Sequence, residues 1–358
     1  MTLRIVQWCA GNVGRACIET TLDRNDLELV GLYVYGEDKV GKDAGELIGR
    51  DPVGIRATSD IGEIIALKPD CVMYAPYLPN IGHMEELLHA GINIVTTSNF
   101  IRGDYLGRFG LTDARERMDA AAKKGGVSVY SGGYNPGFVT SMPVYLASLA
   151  RRVDSIDIYE AGDVGHYDSS MFFEMIGWGK NPEELTDQNR TAMDAMDGFL
   201  YDALDVIADA VGFEITDRRK LVDYAVTQER IEKPAMTFEP GTIAGQRTRW
   251  EYLSGDKCVM SVNITWWISG KLEPDYGSEE KENDGVHRYF INGDPDIDAT
   301  TKLRSHDRQD EYDSKDGVTG TAMHAFNAIP VVCAARPGLL TYLDIPPYAG
   351  MAARCFAS

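Results

Sequence analysis

The chain has 358 residues, 25% of them charged, with 35 Lys and Arg against 55 Asp and Glu and a net charge of −20. That length predicts two domains with a core each, and a surplus of this sign excludes nucleic acid and anionic membrane surfaces as partners, since both are held by basic surface. No apolar run reaches the ~20 residues that span a bilayer, and no basic stretch followed by an apolar core and cleavage site marks a secretory signal.

Leu3-Arg4-Ile5-Val6 reads as a short buried strand, and Gln7 to Arg15 turns into an apolar helical run beginning at Ala16. Strand, Gly-rich turn and helix form the unit in which a helix N-terminus faces a pyrophosphate. Of the pattern G-x-G-x-x-G, Cys9 takes the first glycine position, and Gly11 and Gly14 hold the second and third. Gly11 lets the backbone approach phosphates, and Gly14 lets the helix pack close to the strand. Cys9, Ala10, Gly11, Asn12 and Val13 are the candidate cradle of a dinucleotide.

Residues 26–35 predict a second strand whose tip meets the adenosine ribose. Where an NAD site places an Asp or Glu, this chain offers Val34, Tyr35 and Gly36, then Glu37, Asp38 and Lys39. The missing carboxylate removes a repulsion against a 2′-phosphate and Lys39 supplies an attraction, which favours NADP over NAD. A solvated loop lysine is the plain alternative.

The pattern continues as a helix over 60–67, a strand over 69–75 ending at Pro76, a helix over 83–90, a strand over 92–97, a helix over 114–124 and a strand over 127–130. This alternation predicts a Rossmann-type α/β domain, a doubly wound parallel sheet over residues 1–135. Ligands bind beyond the carboxyl ends of such strands, which sets Ala75, Pro76, Thr97, Asn99, Tyr134 and Asn135 beside a nicotinamide.

After Pro136 a helix over 138–150, a strand over 155–161 and a largely helical stretch over 183–211, broken or re-angled inside, precede antiparallel strands over 222–270. An open mixed sheet covered on one face by helices follows, an α+β domain over 136–318. Residues 273–284 read as an acidic loop, 305–316 as a polar loop, and 320–335 as a final apolar helix within a closing segment, 319–358. Cys9, Cys17, Cys71, Cys258, Cys333 and Cys355 lack C-x-x-C spacing and read as reduced thiols of a cytoplasmic protein. No His/Cys cluster has ligand spacing, so no metal is expected.

Three stretches in this order, Trp8-Cys9-Ala10-Gly11-Asn12-Val13-Gly14, Lys39-Val40-Gly41-Lys42-Asp43-Ala44-Gly45-Glu46-Leu47 and Tyr134-Asn135-Pro136-Gly137-Phe138, resemble the dihydrodipicolinate reductase-like superfamily. Within it they are similar to the branch of 2,4-diaminopentanoate dehydrogenase and the native amine dehydrogenases, as is the run from Asn327 to Ala335. The resemblance covers most of the first 150 residues and is thinner beyond. It implies an NAD(P)-dependent oxidoreductase moving a hydride between a nicotinamide and a carbonyl or iminium carbon, so that a ketone or aldehyde and ammonia give an amine. It also implies a cofactor across the first domain, substrate between the domains, a final helix packing back on the first domain, and a homodimer formed through the second domain's sheet.

The departures from the family bear on chemistry. Amine dehydrogenases use a Glu just after the strand assigned to 92–97, where this chain has Ser98-Asn99-Phe100. Asn99 can hydrogen-bond a carbonyl or iminium but cannot take its proton. An ammonia-independent ketone or imine reductase, or a dinucleotide-binding sensor without chemistry, is therefore the alternative. Of the reductases' second signature, Glu160, Ala161 and Asp168 agree, while Asp163 replaces a His and His166 the Lys. Dihydrodipicolinate is thus not the expected substrate. His166, supported by Asp163 or Asp168, is the candidate general acid. Tyr134, Tyr167, Phe173 and Trp178 are candidate linings of an apolar substrate pocket, plain core being the alternative, and Arg247 and Arg249 are the candidates for gripping a dicarboxylate.

Overall fold

The computed structural model describes residues 2–98, 100–167, 170–304 and 314–352. The chain forms two compact units, residues 1–138 with 198–203 and 318–358, and residues 139–197 with 204–317.

In the first unit β1 (Leu3–Trp8), β2 (Leu27–Tyr33), β3 (Ala57–Thr58), β4 (Cys71–Tyr74), β5 (Asn93–Thr96) and β6 (Ser128–Ser131) are joined through α1 (Asn12–Asp23), α2 (Ala44–Leu47), α3 (Ile61–Ala66), α4 (Ile81–His89) and α5 (Ala114–Gly125). With a closing strand, Gly338–Leu340, they make a seven-stranded parallel sheet in the order closing strand, β6, β5, β4, β1, β2, β3. The apolar runs of β1, β4, β5 and β6 are buried because helices cover both faces of a parallel sheet. Strand order reverses at β1, between β4 and β2, so the carboxyl end of β1 is the switch point where such sheets bind ligands. The helix expected from Ala16 already begins at Asn12; its first turn is polar, so an apolar pattern finds it late.

The second unit contributes α6 (Val139–Ala147), β7 (Arg152–Asp163), α7 (Ser170–Met175), α8 (Asp187–Val211), β8 (Asp217–Thr227), the short pair β9 (Ile231–Glu232) and β10 (Thr237–Phe238), β11 (Ile243–Ser254), β12 (Lys257–Trp267), β13 (Leu272–Glu273), α9 (Tyr276–Glu279), β14 (Val286–Asp294) and β15 (Ile297–Lys302). Its large sheet runs β13, β8, β11, β12, β7, β14, β15. Only β12 and β7 pair in parallel, which makes the sheet mixed, as expected. On one face α8 is bound by Lys220 Nζ to Asp197 at 2.5 Å and by Tyr252 Oη donating to Asp205 at 2.8 Å. On the other, the register aligns Leu221, Arg249, Asn263, Tyr159 and Arg288 in one row across five strands, with Leu221 53% and Tyr159 42% exposed.

Four expectations are corrected. The stretch over 183–211 is not broken: a short turn, Pro182–Glu184, precedes one continuous helix, α8, opened by a Thr186/Asn189 capping box and closed by left-handed Gly212. Gly198 inside it marks close packing, since a Cβ there would lie 2.9 Å from the Tyr105 Cβ. The final helix is two, α10 (Ser314–Asn327) and α11 (Ile329–Cys333), because Pro330 lacks an N–H and suits only a first turn. The acidic stretch over 273–284 is not a plain loop but carries α9 and the turn Lys281–Asn283. Arg247 pairs there with Glu279 and Glu280 at 3.0 and 3.2 Å, and Arg249 with Glu251 at 2.7 Å, so neither is a bare grip for a dicarboxylate. Residues 305–313 of the expected polar loop lie outside the described residues.

Candidate active site

The turn after β1 is built around Cys9, one of two non-glycine residues with positive φ among the described residues, at +74°. Its N–H donates to Tyr33 O at 2.8 Å, and its carbonyl accepts from Gln7 Nε2 at 3.0 Å. A Cβ on Gly14 would lie 2.1 Å from that carbonyl oxygen, so the third fingerprint position admits only glycine. A Cβ on Gly11 would meet nothing within 4 Å. Gly11 is the N-cap of α1 and gives no side-chain cap, and the first turn holds no acidic residue. An open, uncapped helix terminus without negative charge fits a pyrophosphate. Burial pushes the Cys9 thiol up to about 12, against the opposing pull of the Lys39 ammonium, so the thiol stays neutral.

An aromatic wall stands beside it. Trp8 stacks on Tyr33 at 3.7 Å and lies 5.3 Å from Tyr74 and 5.6 Å from His83. Its Nε1 donates to the hydroxyl of Tyr35 at 3.2 Å. Tyr35, at the tip of β2, is 48% exposed, and its ring runs parallel to that of His83 at 6.2 Å.

Farther along the carboxyl edge, Ala75 N–H donates to Trp8 O and Thr97 N–H to Tyr74 O, each at 3.1 Å. Ser98 Oγ donates to Pro76 O at 2.5 Å. Tyr134, buried and stacked on Phe138 at 6.0 Å, and Asn135, before a cis proline, follow the end of β6. Ala75, Pro76, Thr97, Tyr134 and Asn135 thus share one edge of the first unit with Cys9 to Val13, Tyr35 and Lys39. Asn99 lies outside the described residues, as does Asp168.

His324 was not singled out in the sequence. Its Nδ1 accepts from Gly133 N–H at 3.3 Å and its Nε2 lies 3.0 Å from Tyr348 Oη, which lies 3.1 Å from Tyr130 Oη. Burial lowers its pKa to about 4, so the ring sits neutral under the turn that leads to Asn135. In the unfolded chain it takes its proton at about 6.5. This contribution to stability is therefore complete above pH 6.5, shrinks as pH falls, and is gone near pH 4. Urea unfolding from pH 7 to 4.5 is expected to cost the wild type up to roughly 3 kcal/mol more than His324→Gln; parallel curves would refute this.

In the second unit, Asp163 at the end of β7 accepts from Gly165 N–H at 2.7 Å and from Ser269 Oγ, while its own N–H donates to Asp284 at 2.9 Å. His166 is exposed. Burial raises the Asp284 carboxyl; the hydrogen bond from the Asp163 N–H opposes this, as do Lys302 and His166, while the Asp163 carboxylate adds to it. Asp163 and Asp284 are thus joined through the Asp163 backbone, at the end of the strand that leads to His166. Tyr167 meets Phe172 at 5.3 Å and Phe173 at 6.3 Å, and Phe173 meets Trp178 at 5.5 Å. Phe173 and Trp178 are enclosed in the core of the second unit, with Tyr167 and Phe172 partly buried against it. Glu160 accepts from Trp266 Nε1 at 2.8 Å and pairs with buried His287 at 3.1 Å. His287 sits in an ordinary strand pattern, so only the Glu160 half was visible beforehand.

A parallel sheet with an open helix terminus at its switch point, followed by a mixed-sheet unit, defines an NAD(P)-dependent oxidoreductase of the amine dehydrogenase-like class. The chain belongs to the 2,4-diaminopentanoate dehydrogenase C-terminal domain family, whose model matches residues 138–356. It is 27% identical over 352 residues to an amine dehydrogenase of Streptomyces virginiae, covering 95% of each chain. It is 26% identical over 246 residues to the 2,4-diaminopentanoate dehydrogenase of Acetoanaerobium sticklandii, covering 64% of this chain and 61% of that one. Its fold is similar to the structure of an amine dehydrogenase from Mycobacterium smegmatis, with a TM-score of 0.77, 19% identity and 98% of each chain covered. Among the described residues no helix is long and apolar enough to cross a membrane, and no group of His, Cys, Asp or Glu could hold a metal ion.

Proposed function

We propose that the chain catalyses reductive amination of an apolar ketone or aldehyde, or the reverse, with NADP preferred over NAD. The observation that carries this is the turn of the first unit: left-handed Cys9, Gly14 against the Cys9 carbonyl, and open space over Gly11. When bound, the cofactor supplies the hydride. The protein supplies position and a proton source. The N–H groups of the first turn of α1 hold the pyrophosphate, and Lys39 holds the 2′-phosphate with no carboxylate at the tip of β2 to oppose it. Ala75, Pro76, Thr97 and Asn135 hold the nicotinamide end. His166 donates the proton, its charge supported by Asp163 and Asp284.

The protein works as a cytoplasmic homodimer in this reading, formed through the second unit's uncovered sheet face with Tyr159 and Leu221, and takes a small carbonyl or amine substrate. Asn99, placed where amine dehydrogenases use a Glu, favours a second reading, an ammonia-independent carbonyl or imine reductase. Titration with NADPH and NADH, then NADPH oxidation with a ketone panel with and without ammonium, tests both. Oxidation that requires ammonium supports the first reading, oxidation indifferent to ammonium the second, and absence of dinucleotide binding overturns both.

Lys39→Ala is expected to weaken NADPH by about 10- to 100-fold, the value of one or two charge-assisted hydrogen bonds, and to leave NADH within about 2-fold. Equal losses for both cofactors would remove Lys39 from the phosphate site.

A further inference from the structure

The segment after β5 carries Ser98 and Phe100 at the edge assigned to the nicotinamide. Its near end is tied to neighbouring strands: Ser98 Oγ donates to Pro76 O, and Phe100 N–H donates to Ser131 Oγ at 3.3 Å. Its far end is tied to something else. Residues 198–203 of α8 belong to the first unit. There Asp202, 2% exposed, turns its carboxylate into three consecutive backbone N–H groups. Arg102 and Gly103 both donate to Oδ2, Gly103 at 2.8 Å, and Asp104 donates to Oδ1 at 3.3 Å.

The surroundings are built for this approach. Phe199 stacks on Phe109 at 5.2 Å, Tyr201 lies 5.6 Å from Tyr105, and Arg108 covers the rings of Tyr105 and Tyr201 at 5.2 and 5.4 Å. Gly198 gives the room that brings Tyr105 and Arg108 against the helix. Converging amides are an anion-binding nest, here filled by the protein's own carboxylate. Burial pushes Asp202 up to about 6, the amides pulling it back down. A carboxylate kept in so dry a place needs all of its donors.

We propose that Asp202 is a positioning residue: by gathering the N–H groups of Arg102, Gly103 and Asp104 it fixes the segment over 100–104 in the shape that receives the nicotinamide end of the cofactor. This rests on the reading of the first unit as a dinucleotide site. Asp202 touches no reacting atom and acts through the backbone. Its removal should therefore be felt by the nicotinamide half of the cofactor and not by the adenosine half.

The test compares NADPH with adenosine 2′,5′-bisphosphate, which lacks the nicotinamide, on the full-length wild type, Asp202→Ala and Asp202→Asn. Asp202→Ala is expected to weaken NADPH about 10-fold or more, as loss of the hydrogen bonds requires, and to leave the bisphosphate within about 2-fold. Hydrogen exchange at the amides of residues 102–104 should accelerate in the same variant. Asp202→Asn can still present one oxygen to Arg102 and Gly103, and should recover most of the NADPH affinity. Unchanged NADPH affinity with unchanged amide protection overturns the proposal. So does an equal loss of both ligands, which would mark a purely structural role. Wild-type protein that binds neither ligand overturns the dinucleotide reading itself, a result separate from any difference between variants.

Discussion

Gly14→Val is expected to abolish dinucleotide binding, with affinity for NADPH falling at least about 100-fold, or roughly 3 kcal/mol. The cause is steric and local. A Cβ at residue 14 would sit 2.1 Å from the Cys9 carbonyl oxygen and 3.1 Å from Gln7 Nε2, and the first of these contacts is with backbone. Relief requires α1 to move away from β1, which carries the uncapped N–H groups off the switch point. Overpacking at such a contact also costs about 1–3 kcal/mol of stability, so a control must separate unfolding from lost binding. Gly11→Ala is that control. Gly11 has φ −82°, open to any residue, and a Cβ there meets no protein atom within 4 Å. Its stability should stay within about 0.5 kcal/mol of wild type, while the methyl group occupies the space above the turn and weakens NADPH about 10-fold or more. Fluorescence titration beside urea unfolding gives both numbers. Full affinity in Gly11→Ala would mean that the open space over the turn is not where the cofactor lies.

The parts of this molecule legible in its sequence are those set by short-range pattern. Apolar runs bounded by Gly and Pro gave the strands of the parallel sheet, and the spacing of Cys9, Gly11 and Gly14 gave the turn at its switch point. What was not legible depends on partners distant in sequence. His324 pairs with Gly133 across 191 residues, and Asp202 with Gly103 across 99, with no local signature at either end. The stretch over 183–211 read as broken or re-angled, and propensity counts only what a glycine inside a helix lacks; the use of Gly198 there is the space it leaves for Tyr105 and Arg108. Arg247 looked available because its partners, Glu279 and Glu280, stand on another element. Asp43 is an intermediate case. Asp43 with Glu46 three residues on is a capping-box spacing, open to reading, but nothing nearby announces that the same carboxylate also holds residues 53 and 54.

Asp43→Ala is accordingly expected to cost about 3 kcal/mol of stability and, with it, the cofactor discrimination assigned to Lys39. Asp43 Oδ1 accepts from Gly45 and Val53 N–H and Oδ2 from Gly54 N–H, each at 2.8 Å. Burial works to raise this carboxyl and the amides outweigh it, so it titrates below the ordinary range. Its contribution is complete above the unfolded-chain value near 3.9 and is lost as pH falls below it. Removing the carboxylate leaves three amides that water can reclaim only in part, each bond to a charged acceptor being worth about 1.5–3 kcal/mol at most. Lys39 stands in the turn just before the segment they close; its N–H donates to Gly36 O at 2.9 Å and its carbonyl accepts from Lys42 N–H at 3.1 Å. Loss of the hub is expected to loosen the turn that carries Lys39. Lys39→Ala should then weaken NADPH far less in the Asp43→Ala background than alone, the non-additivity expected of residues that act as a unit. Urea unfolding measures the first effect and a double-mutant cycle on NADPH affinity the second. Additive losses would mean that Lys39 finds the phosphate without Asp43, and the two stretches of the Lys39–Leu47 run would then serve separate ends.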